Sequence, residues 1–129
     1  MQTPGLHHIV MTTANVARSE AFYRDILGFD VTHFDMPEIP GGMYFFETGG
    51  MSIYFTPSHQ PIEGDRFSEA RVGLDHLSFR APSREALNEL AEKLIAAGVE
   101  TKGVEQFFTG NYYIMFRAPD NMQVEYWLP

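Results

Sequence analysis

Three side chains that could bind a metal ion stand at related positions along the chain: His8, His76 and Glu125. Imidazole nitrogen and carboxylate oxygen are ligands that suit Fe, Mn, Ni, Co or Zn. Three protein ligands leave coordination positions for water or a substrate, as a catalytic metal requires. A lone strand histidine is more often a hydrogen-bonded core or rim residue, and a lone strand glutamate usually faces solvent. The prediction of a metal site therefore depends on the coincidence of the three at repeated positions.

The repeat is visible in two pairs of segments. Residues 5–9 (GLHHI) return as residues 73–77 (GLDHL), an offset of 68, so that His8 and His76 are equivalent. Residues 51–55 (MSIYF) parallel residues 122–126 (MQVEY) with an offset of 71, which aligns Tyr54 with Glu125. The three extra residues in the second half fit within loops.

Helix and turn signals complete each half. Asn15 and Ser83 are predicted helix N-caps, and Gly28 and Gly98 are predicted stops. Each half then has aromatic and β-branched runs typical of strands. The sequence predicts an α+β fold of two tandem βαβββ modules that form a curved mixed sheet with a concave site and helices outside. The chain, residues 1–129, is one domain in this interpretation: module 1 covers about 5–56, the connector 57–72, and module 2 about 73–128.

Composition excludes several classes of function. Nine Lys and Arg against seventeen Asp and Glu give a net charge of −8, which disfavours nucleic acid and anionic membranes. There is no Cys, so a metal can be bound only through nitrogen and oxygen ligands. No signal peptide and no membrane-spanning apolar run is recognised, and we expect a cytoplasmic protein.

Strand alternation selects further candidates on the faces that carry the three ligands. Arg80 shares a face with His76 and could bind a substrate anion, although an ordinary surface salt bridge is an equal alternative. Tyr54 is expected to contact a substrate or support the ligands, and ligation of a metal by its phenol is the lesser alternative. Tyr113 lies near a strand of the second half, as a substrate contact or as an ordinary strand residue.

The repeated histidine starts, the run RSEAFYRDILGF and the run RAPDNMQVEYW resemble the vicinal oxygen chelate superfamily. That superfamily includes glyoxalase I, extradiol dioxygenases, fosfomycin-resistance enzymes, methylmalonyl-CoA epimerase and bleomycin-binding proteins. The resemblance covers nearly the whole chain and implies metal ligation by His8, His76 and Glu125. Glyoxalase I-like members usually add a Glu or Gln ligand where this chain has Tyr54. The remaining His, His and Glu set is similar to that of extradiol dioxygenases and of fosfomycin-modifying transferases, but the serine- and glycine-rich ion-binding loop of the transferases is not recognised before the last hairpin.

The resemblance implies a divalent-metal-dependent enzyme whose small substrate chelates the metal through oxygen atoms, with extradiol-dioxygenase-like or glyoxalase-like (lyase or isomerase) chemistry. Members of this length are commonly homodimers, with the site near the interface and ligands often drawn from both subunits. The alternative is a metal-free protein that sequesters an aromatic drug, as bleomycin resistance proteins do. The sequence identifies no general base, and neither the substrate nor the metal.

Overall fold

A computed structural model describes residues 2–129. Eight strands and two α-helices follow one another in this part of the chain. In order they are β1 (His8–Thr13), α1 (Val16–Ala21), β2 (Thr32–Met36), β3 (Ile39–Thr48), β4 (Met51–Pro57), β5 (Leu77–Arg80), α2 (Arg84–Ala96), β6 (Thr101–Gln106), β7 (Tyr112–Arg117) and β8 (Gln123–Leu128). No helix within residues 2–129 is both long enough and apolar enough to cross a membrane.

The chain divides into two compact units, one ending at Asp65 and the other beginning at Arg66. The first holds a four-stranded sheet in the order β1-β4-β3-β2, and the second a sheet in the order β5-β8-β7-β6. In each sheet the first strand runs parallel to the last, and the other pairs are antiparallel. The predicted α+β class and the βαβββ order of both halves are therefore confirmed.

Both helices begin at the predicted caps. The Asn15 side chain accepts a hydrogen bond from the Arg18 backbone N–H at 3.0 Å, and Ser83 accepts one from Ala86 at 3.1 Å. These contacts satisfy backbone donors that have no partner within the first turn. Helix α1 differs from a simple helix because it continues into a π-helical turn, Phe22–Ile26.

The turns before the last strand of each sheet have the left-handed backbone that tight turns require. Gly49 and Gly50 join β3 to β4 with φ angles of +55° and +80°. Asp120 and Asn121 precede β8 with φ angles of +66° and +64°. Asp and Asn tolerate this conformation better than other residues with side chains.

Each sheet packs one face against its own helix, called here the helix face, and the opposite side is called the open face. On the first helix face Tyr23 contacts Tyr44, Phe46 and Phe55, with ring centroids 4.8 to 6.4 Å apart. On the second, α2 packs against β6 and β7 and buries its leucines. The buried apolar residues there include Leu87, Leu90, Leu94, Leu77, Phe79, Ile114, Phe116 and Val124.

In the first unit the contacts of His33 with Glu20 and Asp35, called here the histidine clamp, connect α1 to β2. His33 Nδ1 lies 2.5 Å from Glu20 Oε1, and its Nε2 lies 3.3 Å from Asp35 Oδ1. The hydrogen bond to Glu20 raises the pKa of His33 above its ordinary value, and Asp35 adds to the effect. The protonated imidazole is therefore favoured in the folded protein.

The clamp should make stability depend on pH in one direction. A folded-state pKa above the unfolded one gives stabilisation that is complete below the unfolded pKa and lost as pH rises through the folded pKa. We expect the wild type to exceed His33→Gln in urea midpoint most at pH 5.5, with the difference shrinking by pH 9. Urea titrations of both proteins across this range check the prediction, and a difference that grows with pH would contradict it.

The start of the second unit is anchored to the β7–β8 turn. Glu69 receives two hydrogen bonds from the Arg117 guanidinium, at 2.7 and 2.8 Å. The Phe67 backbone N–H donates to Asp120 O at 2.8 Å, and Asn121 Nδ2 donates to Phe67 O at 3.1 Å. The hydrogen bonds from Arg117 lower the pKa of Glu69 to about 2.

This ion pair predicts loss of stability in acid. A depressed carboxyl pKa stabilises the fold above the unfolded pKa, and the contribution is lost as pH falls through the folded pKa. Glu69→Gln should therefore be less stable than the wild type at neutral pH, and the two should converge as pH falls from about 5 towards 2. Denaturant midpoints at intervals across that range measure the convergence.

Candidate functional site

Glu125 is a buried carboxylate on the open face of the second sheet. It lies on β8 between two register partners, Ser78 on β5 and Met115 on β7. His76 immediately precedes β5, and its Nε2 atom lies 3.7 Å from Glu125 Oε1. Only 11% of the Glu125 side chain is exposed, compared with 33% for His76. The second unit thus brings together two of the three predicted ligands.

Neighbouring polar groups fix the orientation of both side chains. Asp75 Oδ1 lies 2.7 Å from His76 Nδ1 and also accepts a hydrogen bond from Gln123 Nε2 at 3.0 Å. Ser78 Oγ donates to Glu125 Oε1 at 2.6 Å. A carboxylate that binds one imidazole nitrogen fixes the tautomer and directs the other nitrogen towards a metal.

This tautomer determines what can lie between the side chains of His76 and Glu125. Because the Nδ1 proton of a neutral His76 faces Asp75, its Nε2 presents a lone pair towards a carboxylate oxygen. Two facing acceptors repel each other unless a proton or a cation lies between them. His76 Nε2 and Glu125 Oε1, 3.7 Å apart, would be two of the atoms that hold a divalent cation. The donor types and their spacing therefore fit a divalent metal.

His8 occupies the equivalent place in the first unit. Val10 pairs with Tyr54 in the first sheet as Ser78 pairs with Glu125 in the second. The His8 ring meets the Tyr54 ring edge-on at 5.7 Å, and its Nδ1 lies 2.9 Å from His7 Nδ1. Tyr54 also stacks on Phe45 at 4.9 Å, so its ring has a packing role on the open face of the first sheet.

Complete metal coordination is not present within residues 2–129. No group of three or more His, Cys, Asp or Glu side chains in this range is arranged so that it could hold a metal ion. The second unit supplies the pair of His76 and Glu125, and the first unit carries His8. Ligation by these three residues remains a prediction.

A cleft of about 480 Å³ lies over β6 and β7 on the second unit. Met115, the register partner of Glu125, belongs to its wall, together with Tyr113 and Glu105. Glu105 pairs with Tyr113 across β6 and β7. Burial raises the pKa of Tyr113, and Glu105 and Glu125 raise it further, so the phenol stays protonated at neutral pH. The volume of this cleft is within the range of small-molecule sites.

Arg80 lies on the far side of Glu125 from the cleft. It pairs with Trp127, and the two line a smaller groove of about 200 Å³ with Ser78. Trp127 stacks on Tyr113 at 5.8 Å, and Phe107 meets the Trp127 ring edge-on at 5.4 Å. An aromatic surface therefore adjoins the carboxylate on the open face.

Two residues of the site were not predicted from the sequence. The sequence patterns do not identify Asp75, which directly precedes His76, and they do not identify Glu105, which lies on β6. The run GLDHL contained the only signal for Asp75, since a carboxylate beside a histidine can bind its ring nitrogen. Nothing in the alternation of β6 indicated the position of Glu105.

The paired modules and the polar residues on their open faces define a known class of fold. Residues 5–126 match the family model of the Glyoxalase/Bleomycin resistance protein/Dioxygenase superfamily. The chain therefore belongs to this superfamily, which includes enzymes such as glyoxalase and whose members commonly bind a divalent metal.

Individual relatives agree with this membership. The chain is 32% identical to YwkD of Bacillus subtilis (strain 168), over 97% of both chains. A glyoxylase/bleomycin resistance protein/dioxygenase domain from Frankia sp. EAN1pec has 28% identity, a TM-score of 0.81 and 98% coverage of both chains. A lactoylglutathione lyase from Agrobacterium tumefaciens has a TM-score of 0.71, with 98% of this chain and 95% of that one covered. Its identity of 19% makes this last likeness one of fold alone.

Proposed function

We propose that the protein is a divalent-metal-dependent enzyme that acts on a small substrate chelated to the metal through oxygen atoms. His8, His76 and Glu125 are the proposed ligands. The observation that carries the proposal is the pair of facing acceptors, His76 Nε2 and Glu125 Oε1, 3.7 Å apart with Asp75 bound behind the imidazole. A metal-free binding protein has no need of this arrangement.

The residues around the pair have separate roles in the proposal. Asp75 holds the imidazole in the tautomer that leaves Nε2 available, and Ser78 fixes one carboxylate oxygen of Glu125. A metal bound there would act as a Lewis acid towards the chelating oxygen atoms of the substrate. Tyr113 and Arg80 flank Glu125 on the same face and are the proposed substrate contacts, and Tyr54 is proposed to support His8. Because the Tyr54 ring packs on Phe45, three-ligand chemistry of the extradiol dioxygenase type is favoured over four-ligand glyoxalase chemistry.

Metal analysis tests the ligand set directly. Protein purified without chelators and loaded with Mn²⁺ should hold about one ion per site, as expected for a three-ligand centre with open positions. His8→Ala and His76→Ala should each lose most of the bound ion after gel filtration. His59→Ala, on the exposed connector, is the matched control and should retain it. Full retention of metal by His76→Ala would refute the assignment.

We further propose a homodimer in which His8 of one copy of the chain joins His76 and Glu125 of another. This arrangement supplies His8 as the third ligand to the pair of His76 and Glu125 in the second unit. Mixed dimers of His8→Ala and Glu125→Ala should then recover metal binding, because one of their two sites combines only intact residues. If all three ligands came from a single chain, both sites of the mixed dimer would stay defective, and the absence of recovery would contradict the proposal.

A further inference from the structure

Gln123 lies at the start of β8 and holds the residue that precedes His76. Its Nε2 atom donates a hydrogen bond to Asp75 O at 3.2 Å and another to Asp75 Oδ1 at 3.0 Å. A glutamine amide has two N–H protons, so both of them go to Asp75. The same Asp75 Oδ1 lies 2.7 Å from His76 Nδ1. One side chain of β8 therefore fixes both the backbone and the carboxylate of Asp75 behind the imidazole.

The two units hold the residue before the histidine in different ways. In the first unit the pairing of β1 with β4 already includes His8, and the Ser52 backbone N–H donates to His7 O at 3.1 Å. In the second unit the pairing of β5 with β8 begins one residue after the histidine. There the side chain of Gln123, in place of a backbone N–H, donates to the residue that precedes His76. His76 therefore lies outside the paired strand, and side chains rather than the backbone ladder position it.

The position of Asp75 decides where the single proton of a neutral His76 lies. Two carboxylates compete for this proton, Asp75 at 2.7 Å from Nδ1 and Glu125 at 3.7 Å from Nε2. The Asp75 side chain is 67% exposed, and an exposed carboxylate binds a neighbour weakly because water competes and because ordering the side chain costs entropy. Glu125 is buried, so water competes less for its oxygen atoms. Without an anchor for Asp75, we expect the proton to move to Nε2 and face Glu125.

We propose that Gln123 is a positioning residue that keeps the Nε2 lone pair of His76 available to a metal ion. It acts through Asp75, because both of its amide protons hold that residue against Nδ1. The inference rests on the proposed function only in taking His76 as a metal ligand. An imidazole with its proton on Nε2 cannot bind a cation at that nitrogen until the proton leaves it.

The first measurement is the tautomer of His76 in the metal-free protein. Long-range proton–nitrogen correlation spectra of the chelator-treated full chain distinguish the two neutral tautomers from the imidazolium ion, and His76→Gln identifies the signals of this ring. At an alkaline pH at which the ring is neutral, the wild type should have the proton on Nδ1. Gln123→Met keeps the length of the side chain but removes both donors, and it should shift the proton towards Nε2. Asp75→Ala removes the carboxylate through which Gln123 acts and should give the same shift.

The second measurement is the dissociation constant for Mn²⁺, from titration of the same proteins. Loss of a hydrogen-bonded partner behind a metal-binding histidine typically weakens metal affinity about 10- to 100-fold, so Gln123→Met should raise the Kd for Mn²⁺ about tenfold or more. Gln106→Met is the matched control, because it removes an amide that donates to Gly110 O at 3.2 Å, away from Asp75. It should leave the tautomer and the Kd unchanged.

An unchanged His76 tautomer in Gln123→Met or in Asp75→Ala, with a native circular dichroism spectrum, would overturn the inference. An unchanged Kd for Mn²⁺ in Gln123→Met would do the same in a protein whose His76→Ala variant loses the metal. Retention of metal by His76→Ala would refute the proposed function instead, and the tautomer would still decide whether Gln123 positions the imidazole. A role of Gln123 in stability alone would lower the Tm and leave the tautomer as it is in the wild type.

Discussion

Replacing Glu125 with Gln should abolish the stabilisation of the protein by a divalent metal without destabilising the metal-free protein. When His76 is neutral and no cation lies between the two side chains, the buried carboxylate of Glu125 faces the Nε2 lone pair of His76, an arrangement that costs free energy. A glutamine amide nitrogen in the place of Oε1 can donate one proton to His76 Nε2 and the other to Ser78 Oγ, because a hydroxyl accepts as well as donates. The same substitution therefore removes a repulsion and weakens a metal ligand.

The substitution should leave the Tm of the metal-free protein unchanged or raise it, and it should remove the rise in Tm that Mn²⁺ causes. Thermal unfolding with and without Mn²⁺ measures both effects. At a Mn²⁺ concentration a hundred times the Kd, binding stabilises the wild type by about 2.7 kcal/mol. For a domain of this size, that corresponds to a rise in Tm of roughly 10 °C. Glu125→Gln should show almost no rise and should start from a metal-free Tm equal to or above that of the wild type.

The matched control is Glu89→Gln, which removes an exposed carboxylate from α2. It should keep the full metal-dependent rise, because it changes the net charge equally but lies on the helix. An equal rise in Glu125→Gln would mean that Mn²⁺ stabilises the protein elsewhere. A large drop in the metal-free Tm would mean that the carboxylate has a structural role that its contacts with Ser78 and His76 do not reveal.

The repeated parts of the fold could be predicted from the sequence because each has a local physical cause. Asn15 and Ser83 cap helices through their own side chains, and the turn residues adopt left-handed backbone that few residue types tolerate. The π-helical turn after Ala21 could not be predicted, since it leaves the apolar spacing of the helix nearly unchanged.

In the candidate site, the alternation of side chains predicts the face of a residue inside a strand but not at the ends of a strand. Ser78 and Glu125 lie side by side within paired strands, so counting along each strand gives the face that each side chain occupies. Asp75 lies before β5 begins, where side chains no longer alternate between faces, and so its approach to His76 could not be counted from the strand. The contact of His7 with His8, at the first residue of β1, has the same origin.

Glu105 is a second residue whose face of the sheet cannot be predicted from side-chain alternation along its strand. Thr101 pairs with Phe116 and Val104 pairs with Ile114, so the register of β6 shifts by one residue between them. Gly103, with a φ angle of +78°, lies within this irregularity. A bulge reverses the face of every later residue, which brings Glu105 beside Tyr113 instead of towards the helix face. Sequence alternation alone assigns Glu105 to the wrong side.

Replacing Leu94 with Ala should produce one of the largest losses of stability among single substitutions in α2, because Leu94, like Leu87, has no exposed surface. Leu94 has no exposed surface and lies on the buried stripe of the helix with Leu87 and Leu90. Truncation of a fully buried leucine removes its transfer free energy and leaves a cavity, which together cost about 2 to 5 kcal/mol. The loss in free energy of unfolding should be near the upper end of this range, because the sheet holds the surrounding side chains and they cannot collapse into the cavity.

The next residue of the same helix provides the control. Ile95 is 65% exposed, so Ile95→Ala removes a similar number of carbon atoms from a position that is already largely hydrated. We expect this variant to lie within about 0.5 kcal/mol of the wild type, because alanine has the higher helix propensity and little burial is lost. Urea unfolding of the two variants side by side, with a common m-value, measures the difference. Equal losses would mean that α2 does not bury its leucine stripe against the sheet, and the assignment of the opposite face of the sheet to the functional site would fail with it.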